Sequence, residues 1–233
     1  MAKAMMLKAV LWDLDGTLID SEPVWHEAEI QLARAHGGQW DEELAWADSG
    51  KPIQVAAQHM VERGTQLTVD EISQALVDKV YQLEVECMPW IEGVEDVLKQ
   101  LVEAGIPSVL VTASPRKMAQ NLVDHAPKGA FVGFVCGSDN LPKKPDPAPY
   151  LAAGRLVGAA EQDMPYCIAI EDSVPGLASA TASGATTLVH IGSTGTDVSD
   201  GPQFASINGY EGLGVAELEH YVRLRLGELD AER

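Results

Sequence analysis

Five short apolar runs limit what this chain can fold into: KAVLWD (8–13), PSVLVTA (107–113), FVGFVCG (131–137), CIAIED (167–172) and TTLVHI (186–191). Each is near-continuous in valine, isoleucine and leucine and does not alternate with polar residues. That pattern suits strands buried on both faces of a sheet. Stretches of helical period separate the runs. GVEDVLKQLVEAG (93–105) places Val94, Val97, Leu98 and Leu101 on one face and stops at Gly105. APYLAAGRLVG (148–158) and PGLASATASG (175–184) behave alike, and each ends on glycine. Repeated strand–helix units predict an α/β fold with a doubly wound parallel sheet.

One connection breaks the rhythm. Residues 20–88 hold no obvious strand, and EPVWHEAEIQLARAHG, PIQVAAQHMVERG and VDEISQALVDKVYQLEVECM read as helices. The expected organisation is an α/β core from 1–19 and 89–233, with an inserted all-helical domain over 20–88. The chain of 233 residues is long enough for both. VAELEHYVRLRLGELDAER at the C-terminus reads as a helix with an acidic, frayed end.

The chemistry concentrates where the first run ends, in LWDLDGTL (11–18). A period of two lets Asp13 and Asp15 look the same way off the strand. Folding alone gives no reason to place two like charges so close, so a cation between them or a retained proton is expected. In isolation the pair also suits a strand-to-turn junction or a helix cap. A calcium loop is excluded, because its glycine is the sixth residue and Gly16 is the fourth. Other strand ends carry Thr112 and Ser114, then Glu171 and Asp172, while the loop LPKKPDPAPY brings Lys143 and Lys144. In open α/β sheets, ligands bind beyond the carboxyl ends of the strands. Carboxyls, a hydroxyl pair and lysine at one rim suit Mg²⁺ together with a phosphoryl group. Taken singly, Thr112 and Ser114 suit helix capping, and Lys144 or Glu171 suits the surface.

Together these residues resemble the haloacid dehalogenase (HAD) superfamily, in its branch of small-molecule phosphatases and β-phosphoglucomutases with a helical cap after the first motif. That motif, DxDGT, is Asp13-Leu14-Asp15-Gly16-Thr17. The second is VLVTAS with Thr112, the third is Lys144 in KKPDP, and the fourth is IEDSVPGLASATASG with Glu171 and Asp172. The resemblance covers about 10–190 and implies a Rossmann-like core. It implies Asp13 as a nucleophile that forms an aspartyl-phosphate and Asp15 as general acid and base. It implies Mg²⁺ as cofactor, held by Asp13, by Asp15 through its backbone carbonyl, and by Glu171 and Asp172. Lys144, Thr112, Ala113 and Ser114 would hold the phosphoryl oxygens.

Within this branch a mutase carries a histidine shortly after DxD. The matching position here is Trp25, and His26 falls one residue late, about 100° round a helix. DSEPVW and TASP resemble hexitol and 2-deoxyglucose-6-phosphate phosphatases, which favours hydrolysis of a sugar or polyol phosphate over isomerisation. Trp25 equally suits packing. Lys51 in DSGKPIQ falls where the branch has its cap specificity loop, and it equally suits a surface lysine. A receiver-like signalling domain uses similar groups, but on a later strand and without a long insertion.

Charge narrows the partners. With 16 basic against 35 acidic residues, the net charge of −19 repels nucleic acid and anionic membranes. The expected partner is a small phosphorylated metabolite, with no nucleic acid and no membrane. Three scattered cysteines without a CxxC fit a reducing cytoplasm, with Cys136 and Cys167 as buried hydrophobes. MAKAMMLKAVLW lacks the cleavage site of a signal peptide, and no run approaches the ~18 apolar residues of a membrane span. His36, His59, His125, His190 and His220 show no partner spacing and read as surface or packing residues. Trp12, Trp40, Trp46 and Trp90 read as packing residues. The resemblance implies a monomer.

Overall fold

The computed structural model describes residues 4–49, 51–192 and 201–228. The chain forms two compact units, Met1–Ile19 with Trp90–Arg233, and Asp20–Pro89. In chain order, strand β1 (Ala9–Trp12) comes first. Four helices follow: α1 (Glu22–Ala35), α2 (Glu42–Asp48), α3 (Ile53–Glu62) and α4 (Val69–Glu86). The chain then runs through α5 (Val94–Glu103), β2 (Ser108–Val111), α6 (Arg116–His125), β3 (Phe131–Val135) and α7 (Ala148–Leu156). A 3₁₀ turn at Glu161–Tyr166 leads to β4 (Cys167–Glu171), α8 (Val174–Ala182), β5 (Thr186–His190), β6 (Ala205–Ile207) and α9 (Val215–Arg225).

Among the described residues, six strands form one parallel sheet in the order β3-β2-β1-β4-β5-β6. The chain grows outward from β1 on one side, then returns to place β4 against β1, so the topological switch lies between these two strands. Trp12 aligns with Leu110 on one side and Ile170 on the other. Strands β1, β2, β4 and β5 are buried throughout, as continuous apolar runs require. Strand β3 differs because it is an edge strand: its first four residues are not fully buried, and Val132 is 58% exposed. The short strand β6 was not expected, since three residues of ASI leave no apolar run to read.

Period two sorts the core into layers. Ala9 and Leu11, Val109 and Val111, and Cys167 and Ala169 pack on one face with Tyr150 and Ala153 of α7. Asp13 and Glu171 continue that same face beyond the last apolar residue of β1 and β4. Trp12, facing the opposite layer, is fully buried and donates its indole N–H to Ser108 Oγ at 3.1 Å.

In the helical unit, small residues on α1 (Ala28, Ala33) and α3 (Ala56, Ala57) are buried, as are Ile72, Leu76 and Val80 of α4. Thr68 and Glu71 form a reciprocal capping box at the start of α4. Helix α2 was also not expected, being seven residues without a full apolar period; Asp41 caps it by accepting from Leu44 N. Trp46 is 46% exposed, so its expected packing role is corrected to an edge contact with the His26 ring. The acidic C-terminal end expected to fray lies outside the described residues from 229 onward. Among the described residues, no helix is long and apolar enough to cross a membrane.

Candidate active site

The first strand delivers Asp13 to the rim in register, because its N–H donates to Ile170 O at 3.0 Å. The chain then turns within four residues. Leu18 N and Ile19 N both reach Leu14 O, and Gly16 N reaches Ile19 O. Gly16 has φ 79°, a region that a Cβ would strain, which is the physical reason for glycine at this position.

Four side chains from three distant parts of the sequence converge beside this turn. Lys144 Nζ lies 2.5 Å from Asp13 Oδ1 and 2.5 Å from Glu171 Oε1, and it donates to Val111 O at 2.9 Å. Carboxylate oxygens of Asp13, Glu171 and Asp172 all lie within 4.8 Å of one another, and all three residues are buried. The electrostatics follow. Burial, then Glu171, raises Asp13 well above the usual carboxylate range, with Lys144 opposing. Burial, then Glu171 and Asp15, pushes Asp172 up to about 7. Burial alone would lower the Lys144 ammonium, but Asp13 and Glu171 outweigh it and raise its pKa. One ammonium thus serves a site with more negative charge than it can balance.

A supporting layer fixes these groups. Tyr150 OH donates to Glu171 Oε1 at 2.8 Å, and Lys144 Nζ stands 5.3 Å from the Tyr150 ring centroid. Glu171 Oε2 accepts from Asp172 N, Ser173 N and Ser173 Oγ at 3.1–3.3 Å. Ser173 in turn caps α8 by accepting from Gly176 N. A Cβ on Gly176 would stand 2.0 Å from the Glu171 carboxyl carbon, so glycine is needed for the carboxylate to fit there. Ser114 Oγ donates to Asp15 Oδ2 at 2.7 Å, and Ser114 N donates to Thr112 Oγ1 at 2.9 Å. Gly137 N donates to Ser114 O, and a Cβ on Gly137 would overlap Ala113 O.

Asp13, Lys144, Glu171 and Asp172 therefore share one cluster, with Asp15, Ser114 and Thr112 linked in a second chain of hydrogen bonds. Several open alternatives are now decided by geometry. Thr112 and Ser114 do not cap α6, whose N-cap is Pro115. Neither Asp13 nor Asp15 caps a helix, since α1 starts after Ser21. Lys144 and Glu171 are not surface residues, with side chains 9% and 0% exposed. Lys143 stays outside the cluster on Gly137 O and Asp139 O. Arg116 pairs with Asp139 over the Phe134 ring. Lys51 and Trp25 belong to the helical unit: Lys51 pairs with Asp48 at 2.9 Å, and Trp25 is half-buried on α1. Sequence reasoning missed Tyr150 and Ser173. Tyr150 read as one more apolar residue of a helix, and only its place shortly after KKP hinted otherwise. The N-cap pattern of Ser173 before VPG was readable.

The donor set fits a hard divalent cation. Three carboxylates offer oxygen ligands at close range, and buried Asp172 Oδ1 has no hydrogen-bond partner. A doubly wound sheet with a carboxylate cluster and bridging lysine at its switch point defines a Rossmann-like core whose rim suits an anionic group and a divalent cation. The haloacid dehalogenase-like hydrolase family model matches residues 7–184, and the chain belongs to that family. It is 31% identical over 180 residues to hexitol phosphatase A of Escherichia coli, covering 77% of this chain and 81% of that protein. It is 29% identical to phosphoglycolate phosphatase of Pseudomonas savastanoi over 76% of this chain and 66% of that protein. The fold matches the crystal structure of β-phosphoglucomutase from Clostridium difficile with a TM-score of 0.73, at 18% identity over 95% and 99% of the two chains.

Proposed function

We propose that this protein is a Mg²⁺-dependent phosphatase that hydrolyses a small phosphorylated metabolite, a sugar or polyol phosphate, through an aspartyl-phosphate on Asp13. The observation that carries the reading is the buried Lys144 bridge between Asp13 and Glu171, beside Asp172. The resemblance to hexitol and phosphoglycolate phosphatases supports the reaction class.

Asp13 attacks phosphorus with a carboxylate oxygen, and the ester oxygen leaves. Two unit charges ~4 Å apart at an effective dielectric of about 20 repel by about 4 kcal/mol, so this approach needs positive charge nearby. Lys144 supplies part of it from 2.5 Å and neutralises oxygens of the transferring group in the transition state. Thr112 Oγ1 accepts from Ser114 N, which leaves its own hydroxyl hydrogen to donate to a phosphoryl oxygen. Asp15 protonates the leaving alkoxide, then takes a proton from the water that attacks the phospho-enzyme. The Ser114 hydroxyl orients the Asp15 carboxyl for both steps. Asp13, Glu171, Asp172 and the Asp15 carbonyl would hold Mg²⁺, which supplies charge neutralisation when bound. The Asp20–Pro89 unit is assigned the role of cap, with Lys51 and Trp25 as its candidate residues for substrate recognition.

Hydrolysis is preferred to a mutase reaction because His26 is committed elsewhere. Its Nε2 lies 2.8 Å from Ser49 Oγ, and its ring stands edge-on to Trp46. Phosphate release from a panel of phosphorylated metabolites, with Mg²⁺ and with chelator, tests the proposal. Activity that persists in chelator, or glucose 6-phosphate formed from β-glucose 1-phosphate, would refute it.

A further inference from the structure

We infer that His190 and Tyr210, both beyond the segment matched by the family, are positioning residues that clamp the turn carrying Asp15. His190, the last residue of β5, brings Nδ1 to 3.0 Å from Gly16 O. A carbonyl only accepts, so Nδ1 carries the proton and Nε2 is the bare nitrogen. Tyr210 OH donates to Thr17 O at 2.7 Å. Two successive carbonyls directly after Asp15 are thereby held by two side chains from the far end of the chain.

The pair is built as one unit. The two rings stack with centroids 4.9 Å apart and planes 14° from parallel, and Trp12 lies 6.0 Å from Tyr210. Strand β6 pairs with β5 through Ile191 N to Ile207 O, which brings Tyr210 beside His190. Glycine makes room on both sides. A Cβ on Gly192 would stand 2.2 Å from His190 Cε1, and one on Gly93 would stand 3.0 Å from Tyr210 Cβ. Both residues are buried, at 3% and 2% exposure, and His190 Nε2 has no partner. Packing alone would be met by an apolar ring. The placement of both polar atoms on carbonyls of this one turn is what a clamp requires.

The inference rests on the proposed role of Asp15, because a turn that rotates carries that carboxyl and its backbone carbonyl away from the reacting group. Three variants test it: His190→Leu, His190→Asn, whose amide N–H can replace the Nδ1 donor, and Tyr210→Phe. Two quantities are measured on each: steady-state kinetics with p-nitrophenyl phosphate and Mg²⁺, and hydrogen exchange of segment 13–19 by mass spectrometry. The expected result is a tenfold or greater fall in kcat for His190→Leu and Tyr210→Phe at KM within twofold. Exchange in 13–19 should be at least fivefold faster, with both effects largely restored in His190→Asn. Unchanged exchange overturns the clamp, as does faster exchange with kcat within twofold of wild type, or an Asn variant no better than Leu. A wild-type protein that releases no phosphate from the panel of phosphorylated metabolites with Mg²⁺ would refute the functional reading instead, and the exchange comparison would still judge the clamp.

Discussion

At position 144 one ammonium answers two carboxylates, which makes this residue the electrostatic hinge of the site. Removing it leaves Asp13, Glu171 and Asp172 facing each other at low dielectric. Lys144→Met should therefore destabilise the metal-free protein by about 3 kcal/mol, as expected when one partner of a buried ion pair is lost. Urea unfolding in chelator at pH 7.5 measures this, and added Mg²⁺ should recover much of the loss. Asp13→Asn should lower kcat by roughly 10³-fold or more, because an amide is a poor nucleophile, while the fold persists. Acid-stable incorporation of phosphate into that variant would contradict the role given to Asp13. Tyr150→Phe removes only the hydroxyl on Glu171, so its effect should fall on the metal. The Mg²⁺ concentration for half-maximal activity should rise by about tenfold, read from a titration.

At the scale of elements, Glu29 on α1 gives the helical unit its own pH dependence. Trp40 Nε1–H donates to Glu29 Oε2 at 2.9 Å, yet burial, the larger influence, pushes this carboxyl from 4.5 to about 7. The folded state holds the proton more tightly than the unfolded chain, so stability is fully present below about 4.5 and is lost as pH rises towards 7. The loss amounts to about 3 kcal/mol on that shift. Glu29→Gln should flatten this contribution and raise the melting temperature at pH 8 relative to wild type, with little change at pH 4.5. Equal pH slopes for the two proteins in scanning calorimetry would rule this out. The start of α8 makes a second case. Gly176 permits Glu171 to lie against the helix start, and Gly176→Ala forces the carboxylate aside. A cost of about 1–3 kcal/mol, with loss of turnover, is the expected result by thermal unfolding and phosphate release.

For the whole molecule, the raised pKa values of Asp13 and Asp172 point the same way as Glu29. Metal-free protein should lose stability as pH rises from about 4 towards 7, the value to which Asp172 is pushed. A divalent cation bound at the cluster would hold Asp13 and Asp172 ionised and reverse the trend. Mg²⁺ at about 100 times its Kd should add about 2.7 kcal/mol, and chelation should remove it. Melting curves across pH 5–8, with and without Mg²⁺, report this directly.

How much of this was legible in the chain depends on distance along it. Five of the six strands and the long helices were readable because buried runs and 3.6-residue periods are local properties. Strand β6 and helix α2 were not, because three or seven residues carry too little pattern, and their neighbours in space stabilise them. DxDGT, the lysine before proline and the Glu-Asp pair marked the rim through their joint arrangement at or beyond the ends of buried apolar runs, since each motif taken singly also has a structural reading. Sequence by itself determined the order of the five apolar strands and of the long helices among them, the glycine turn after Asp15, and the residue types at each of those strand ends. Only the tertiary structure decided that Lys144 bridges Asp13 and Glu171, that Tyr150 holds Glu171, and that His190 and Tyr210 reach back to Gly16 and Thr17. These contacts join residues from 21 to more than 190 positions apart. Their geometry is set by strand register and helix packing across the sheet, quantities that no local window of residues contains.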